Sequence, residues 1–197
     1  HIYLGGIFTH FQGNGASWTY ARNGARLDIN GKPDRTWNPE FNGTVIDIDV
    51  DENETYYYAA GYFTRAHDRV VENAGRLSTA AGAELDQSWT FRHSYLIGKY
   101  QQTVTAANGR VYFGGSQHSL FGYNSDTMTR TSGSITMYNG GDIQASTRSA
   151  TGVVYASCHC SDYTFQDAYQ YLTLGTSWTR ADEIQWVGGW DEATGRQ

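Results

Sequence analysis

An acidic stretch contains the residue types that bind calcium. It reads "DVDENE", Asp49–Glu54. Calcium takes about 6–8 oxygen ligands, held by a loop that turns sharply. This stretch has no glycine in the turn and no glutamate at the downstream spacing of a calcium loop. The preceding "TVIDIDV" alternates with the period of a strand, which places its aspartates on a solvent face. We therefore interpret the stretch as an acidic hairpin turn.

Both cysteines of the chain lie in one short motif, "CHC" at Cys158–Cys160. Zinc needs four ligands, and the sequence has no second C-x-x-C or H-x-x-H pair to complete them. We expect buried thiols at these positions. A local disulfide is the alternative, and a metal site is the weakest of the three interpretations.

Three histidines each follow a copy of a recurrent glycine-containing motif by a few residues. They are His10, His67 and His118. Their recurrence predicts a common loop position at one face, where they would either line a binding surface or have a structural or solvated role. No Ser-His-Asp or Cys-His signature is recognisable. Carboxylate pairs are expected by number alone among 20 acidic residues, so they do not predict a glycosidase. We expect no enzymatic activity and no cofactor.

Aromatic residues are the strongest indication of function. Residues 161–182 are interpreted as an insertion between two strands, and this loop contains the candidate ligand-facing residues Tyr163, Phe165, Tyr169 and Tyr171. Loops on a rigid scaffold commonly carry binding, and tyrosine-rich loops suit glycans or protein partners. The alternative is a loop that folds onto the strands with its tyrosines half-buried.

The composition indicates which elements position these residues. The chain has 197 residues with 23 Gly, 15 Tyr and 6 Trp but only 2 Pro, which is typical of a β-rich protein. Its net charge of −6 argues against a nucleic-acid surface, which needs a basic stripe. No apolar run approaches the roughly 20 residues of a membrane span, so we expect no membrane insertion. Two cysteines leave the redox compartment open.

A glycine motif repeats along the chain. Gly6, Gly61 and Gly115 recur at intervals of 55 and 54 residues, and Cys158 follows 43 residues later. A second motif ends on Trp37 and again on Trp89. Repeats of about 50 residues with several short strands are typical of the blades of a β-propeller. We predict an all-β fold with four repeat units, at residues 1–43, 44–98, 99–142 and 143–197.

The propeller interpretation gives the repeated residues structural roles. The glycines would allow inner strands to approach closely, and the two tryptophans would occupy equivalent, largely buried positions. Residues 124–134 are interpreted as a long polar loop. The sequence shows no convincing helix, and Phe165–Leu172 is the single weak candidate.

The segments "IYLGGIFT", "NGARLDINGKPDRTWNP" and "GTVIDIDV" resemble the delta-sixty repeat. This β-propeller repeat occurs in actinobacterial secreted proteins and in minor tail proteins of phages that infect those bacteria. The pattern is well kept in the first two units, about half of the chain. It departs later, where "VYASCHC" has Ser157-Cys158 in place of Gly-Gly. The closing "IQWVGGWDEATGRQ" resembles the family again.

The resemblance implies an extracellular or virion setting, such as a phage tail or a bacterial cell surface. We expect a non-enzymatic β-propeller module for binding or assembly, with proteins of an appendage or cell-surface glycans as partners. The alternatives are a propeller-type hydrolase or lyase acting on glycans and a purely structural spacer. The partial repeats at both ends predict an arc of a larger propeller, completed by the remainder of a longer chain.

Overall fold

The computed structural model describes residues 1–95, 98–137 and 139–197. They form two compact units, His1–Phe91 and Arg92–Gln197. Both units consist of antiparallel sheets, and the described residues contain no helix, which confirms the all-β fold. The helix candidate Phe165–Leu172 is wrong, because its first two residues belong to a strand. None of the sheets formed by these residues closes on itself. In the described part of the chain there is accordingly no helix of the length and apolarity that a bilayer crossing requires.

The first unit contains nine short strands in four sheets. The strands are β1 (Ile2–Gly5), β2 (His10–Phe11), β3 (Thr19–Tyr20), β4 (Gly24–Leu27), β5 (Val45–Val50), β6 (Tyr56–Gly61), β7 (Arg65–Ala66), β8 (Arg69–Val70) and β9 (Ala74–Ser78). The sheet orders are β1-β4, β5-β6-β9, β2-β3 and β7-β8. The predicted β5–β6 hairpin is confirmed. Its turn forms because Asp51 Oδ1 accepts hydrogen bonds from the amides of Thr55 and Tyr56.

The second motif is a structural repeat as well as a sequence repeat. Arg26 of β4 forms an ion pair with Asp34 at 2.6 Å, and Arg76 of β9 forms the equivalent pair with Asp86 at 2.5 Å. Both arginines are buried. Each aspartate also accepts hydrogen bonds from the residue two positions later, Thr36 or Ser88. Both copies of the motif are therefore held by the same arrangement, in which an arginine and a hydroxyl side chain bind one aspartate.

The repeated glycines allow neighbouring sheets to approach. A Cβ on Gly5 would lie 2.7 Å from side-chain atoms of Val45 and Ile48 of β5, in the next sheet. In the second unit, a Cβ on Gly114 would lie 2.5 Å from Ile143 of the neighbouring sheet. Real side chains do not make contacts this short, so these positions require glycine for packing. Glycine at these two positions therefore has a packing role, as the structural interpretation of the motif expects.

The core of the first unit is built around an aromatic cluster. Trp37 is 0% exposed, and its ring centre lies 5.2 Å from that of Tyr3 and 4.9 Å from that of Tyr57. The expected burial of Trp37 is confirmed. Trp89, whose ring lies edge-on to that of Phe91, is partly buried and thus less buried than Trp37.

The described residues of the second unit form two larger sheets. The strands are β10 (Gln101–Ala107), β11 (Arg110–Gly115), β12 (Ser119–Asn124), β13 (Arg130–Met137), β14 (Gly140–Arg148), β15 (Val153–Cys160), β16 (Tyr163–Gln166), β17 (Arg180–Glu183) and β18 (Val187–Asp191). One sheet has the order β10-β11-β12-β13-β16-β17, and the other has the order β14-β15-β18.

The interpretation of residues 124–134 as a long polar loop is wrong. Asn124 Oδ1 accepts hydrogen bonds from the amides of Asp126 and Thr127, which makes a tight turn, and the rest of the segment is β13. A polar composition predicted an exposed loop here, but Ser132 and Ser134 are buried within the strand.

The predicted insertion lies where expected, between two strands that pair with each other, β15 and β18. It is a strand hairpin rather than a loop alone. Its first strand, β16, pairs with β13 of the six-stranded sheet, so that Phe165 lies opposite Ile135. The insertion therefore extends a different sheet from the one that it interrupts.

Candidate functional site

The candidate site lies on the β16–β17 hairpin at one edge of the six-stranded sheet. Within the hairpin, Tyr163 lies opposite Glu183, and Phe165 lies opposite Ala181. Opposing residues in an antiparallel pair project from the same face. That face therefore has two aromatic rings from β16 beside a carboxylate and a small methyl group from β17.

Three aromatic rings form a row on this hairpin. The ring centre of Phe165 lies 6.4 Å from that of Tyr163 and 5.4 Å from that of Trp178, which meets it edge-on at 85°. Phe165 is only 7% exposed, whereas Tyr163 is 38% and Trp178 is 42% exposed. Phe165 thus contacts both accessible rings. The ring centres of Tyr163 and Trp178 therefore lie no farther apart than the sum of these two distances.

A groove of about 430 Å³ opens at the base of the hairpin, beside Tyr163. Its described lining consists of Ser161, Asp162, Tyr163, Glu183, Ile184 and Gln185. The amide of Ile184 donates a 2.9 Å hydrogen bond to the carbonyl of Asp162, which holds the two walls together. The lining contributes two carboxylates and none of Lys, Arg or His, so the groove is acidic.

Trp186 follows the groove residue Gln185 directly. It is 55% exposed, and its φ of 64° lies in the left-handed region, which is rare for a bulky side chain. Two hydrogen bonds impose this conformation: the Trp186 amide donates to the Cys160 carbonyl at 3.0 Å, and its carbonyl accepts from the Cys158 amide at 2.9 Å. Backbone strain of this kind is often found at functional sites.

Two of the four sequence-predicted residues pack onto the sheet. Tyr169 lies under the guanidinium of Arg130 at 4.0 Å and fills the space that a Cβ on Gly133 would need. Tyr171 stacks on His118 with ring centres 4.0 Å apart. Burial raises the pKa of Tyr169. The half-buried alternative thus describes these two tyrosines, and the structure brings together only Tyr163 and Phe165.

Sequence reasoning missed Trp178, Trp186 and Glu183. A signal was present for Trp178, because it lies in the same aromatic segment as Tyr163. Trp186 was noticed only as part of a repeat copy, since left-handed backbone geometry has no signature at a tryptophan. Glu183 became significant only through its pairing with Tyr163.

The three recurrent histidines have different surroundings. His118 faces Thr136 O at 3.1 Å through Nδ1 and Asp142 at 3.6 Å through Nε2, and burial lowers its pKa. His67 Nε2 lies 3.0 Å from the Gly82 carbonyl. Both have left-handed backbones in turns. The structural alternative fits these two histidines, whereas His10 is exposed beside Tyr20.

Cys158 and Cys160 form a disulfide, and both are buried. The expectation of free thiols is therefore wrong, and the local disulfide is the alternative that the structure has. The pairing is feasible because residues i and i+2 project to the same side of β15 and their Cα atoms lie 5.1 Å apart. Within the described ranges, no three His, Cys, Asp or Glu side chains are grouped so that they could hold a metal ion.

Comparisons with protein-family models and with curated proteins find no match to this chain.

Proposed function

We propose that the chain is a non-enzymatic, propeller-type binding module that binds cell-surface glycans through the face of the β16–β17 hairpin. The setting is extracellular or on a virion, such as a phage minor tail protein or a bacterial surface protein. The setting is supported by the resemblance to the delta-sixty repeat in the first two repeat units.

Two repeated features and one strand arrangement support propeller blades. The Arg26–Asp34 pair recurs as Arg76–Asp86, and the glycine motif packs against a neighbouring sheet within each unit. The four-stranded run β10-β11-β12-β13 has the strand number and antiparallel order of a blade. Inter-sheet packing through small residues is what blades around a common axis require.

The row of Tyr163, Phe165 and Trp178 is the observation that supports binding. Two accessible rings are held in place by a buried third ring and by a strand that pairs on both sides. Rigid aromatic rings give large contact area at little entropic cost, and tyrosine and tryptophan are accordingly frequent in binding surfaces. The adjacent groove adds hydroxyl, amide and carboxylate groups that fix orientation.

A binding assay on a saccharide array tests this function. The double variant Tyr163→Ala/Trp178→Ala should lose the binding of the parent chain. A double variant that removes more exposed rings outside the row, Tyr155→Ala/Trp18→Ala, should keep it. Absence of any saccharide binding by the parent chain would overturn the proposal in favour of protein partners or a structural spacer. Equal loss in both double variants would show that the row is not the binding surface.

A hydrolase or lyase is the second candidate, because Asp162 and Glu183 line the same groove. Pairs of carboxylates flank the scissile bond in most glycoside hydrolases. The array-positive saccharide should be incubated with the chain, and its reducing ends or unsaturated ends measured. Turnover that disappears in Glu183→Gln would replace the binding proposal with this one.

A further inference from the structure

We infer that the groove beside Tyr163 selects uncharged or amino-bearing saccharides and disfavours acidic ones, with Glu183 as the residue that determines this specificity. The inference rests on the proposed function and narrows it to a substrate class. It concerns the sign of charge that the site accepts, which the aromatic row alone does not determine.

The apolar part of the recognition comes from Tyr163. A pyranose ring presents a face of C–H groups that can lie flat on an aromatic ring, while its hydroxyls point outward around the edge. Tyr163 is accessible, and β16 holds it in position by pairing with β13 on one side and β17 on the other. Trp178, at the far end of the row, provides a second ring for the next sugar of an oligosaccharide.

The polar part comes from the residue directly across the strand pair. Side chains at directly opposing positions start about 4.5–5.5 Å apart at Cβ, so Glu183 and Tyr163 project side by side from the same face. An ionised carboxylate only accepts hydrogen bonds, and its two oxygens can take two neighbouring hydroxyl donors. Ser161 and Gln185 of the same groove can both donate and accept.

The composition of the lining favours neutral and cationic ligands. Asp162 and Glu183 are the ionisable groups of the described lining besides the Tyr163 phenol, and this lining contains no Lys, Arg or His. A uronate or sialate carboxylate in the groove would approach like charges within a few ångströms. We expect a weakening of about tenfold at low salt for such a ligand, which added salt screens within a Debye length of about 10 Å at 0.1 M.

The experiment compares three tetrasaccharides of matched length on the full chain by titration calorimetry. The probes are cellotetraose, which is neutral, tetragalacturonate, which is acidic, and the chitosan tetramer, which is cationic. Low and high salt are compared for each. Glu183→Gln removes the charge at nearly constant shape, and Glu84→Gln makes the same change in net charge at an exposed residue that does not line the groove.

The expected result is binding of the neutral and cationic probes and at least about tenfold weaker binding of the acidic probe at low salt, with a smaller difference at high salt. Glu183→Gln should reduce the difference in affinity between the neutral and the acidic probe several-fold, and Glu84→Gln should leave this difference unchanged. Equal affinity for the acidic and neutral probes would overturn the inference and leave the proposed function intact. Equal effects of the two variants would overturn the assignment to Glu183. Failure of all saccharides, here and on the array, would overturn the proposed function itself.

Discussion

Replacement of Trp37 tests the aromatic core of the first unit most directly. The indole is completely buried between Tyr3 and Tyr57, and its Nε1–H donates a 3.0 Å hydrogen bond to the Ser78 carbonyl. The residue therefore joins the end of its own repeat to β9 of the next. Trp89 occupies the equivalent sequence position and is only half-buried, which makes it a natural comparison.

The expected magnitudes follow from this difference in burial. Trp37→Ala removes a fully buried aromatic side chain and should lower the free energy of unfolding by about 3–5 kcal/mol. Trp37→Phe keeps most of the ring but leaves the half-buried Ser78 carbonyl without this donor, which should cost about 0.5–1.5 kcal/mol. Trp89→Ala removes less buried area and should cost about 1–2 kcal/mol.

Urea unfolding followed by far-UV circular dichroism measures these values, because tryptophan fluorescence would change with the substitution itself. Amide hydrogen exchange within residues 1–91 should accompany it, since two compact units need not unfold in one step. If Trp89→Ala costs as much as Trp37→Ala, burial does not control the loss and the reasoning fails. A near-neutral Trp37→Ala would show that the aromatic cluster does not stabilise the unit.

Three further predictions concern packing and pH. Gly5→Ala should destabilise the chain by about 1–3 kcal/mol in urea unfolding because its Cβ would collide with β5, whereas Gly6→Ala should be nearly neutral because its nearest contact is an ordinary 3.4 Å. Burial lowers the pKa of His118 below 6.5, so the unfolded state binds the proton first and thermal stability should fall as the pH drops below 6.5; an unchanged slope in His118→Asn would contradict this. The pKa values of Asp34 and Asp86 are also lowered, although burial opposes the shift, because hydrogen bonds from Thr36 and Ser88 and the arginines favour the carboxylates. Their stabilisation is complete above pH 3.8 and should be lost as the pH falls through the lowered values, with a smaller acid-induced loss in Asp34→Asn.

The sequence predicted those features that depend on local pattern or repetition. The alternation in β5, the turn after it and the recurrence of the glycine motif were recognisable because each depends on nearby residues. The burial of Trp37 followed from its place in the repeat. Trp89 has the same sequence context and a different environment, so repetition alone could not determine its burial.

The candidate site depended on a non-local pairing that no pattern encodes. Phe165 and Ile135 are opposite each other in neighbouring strands although 30 residues separate them in the chain. The sequence placed Tyr163 in an insertion, but it could not show that Glu183 would lie across from it. It also could not show that Tyr169 and Tyr171 would be used for packing, because their partners come from elsewhere in the chain: Arg130 from β13 and His118 from the turn before β12.

The route of the chain through the second unit has a consequence for how that unit unfolds. The segment between β15 and β18 connects two strands of the three-stranded sheet. It contributes β16 and β17 to the six-stranded sheet, so the two sheets are linked through one hairpin. Trp190 of β18 adds a tie between them, since its Nε1–H donates a 3.0 Å hydrogen bond to Ser134 of β13. Opening either sheet releases the hairpin that supports Tyr163 and Trp178. The protection of amides in β13, β16 and β18 against hydrogen exchange should therefore rise and fall together, as one cooperative unit, and the face that carries Tyr163 should be as stable as the sheets beneath it.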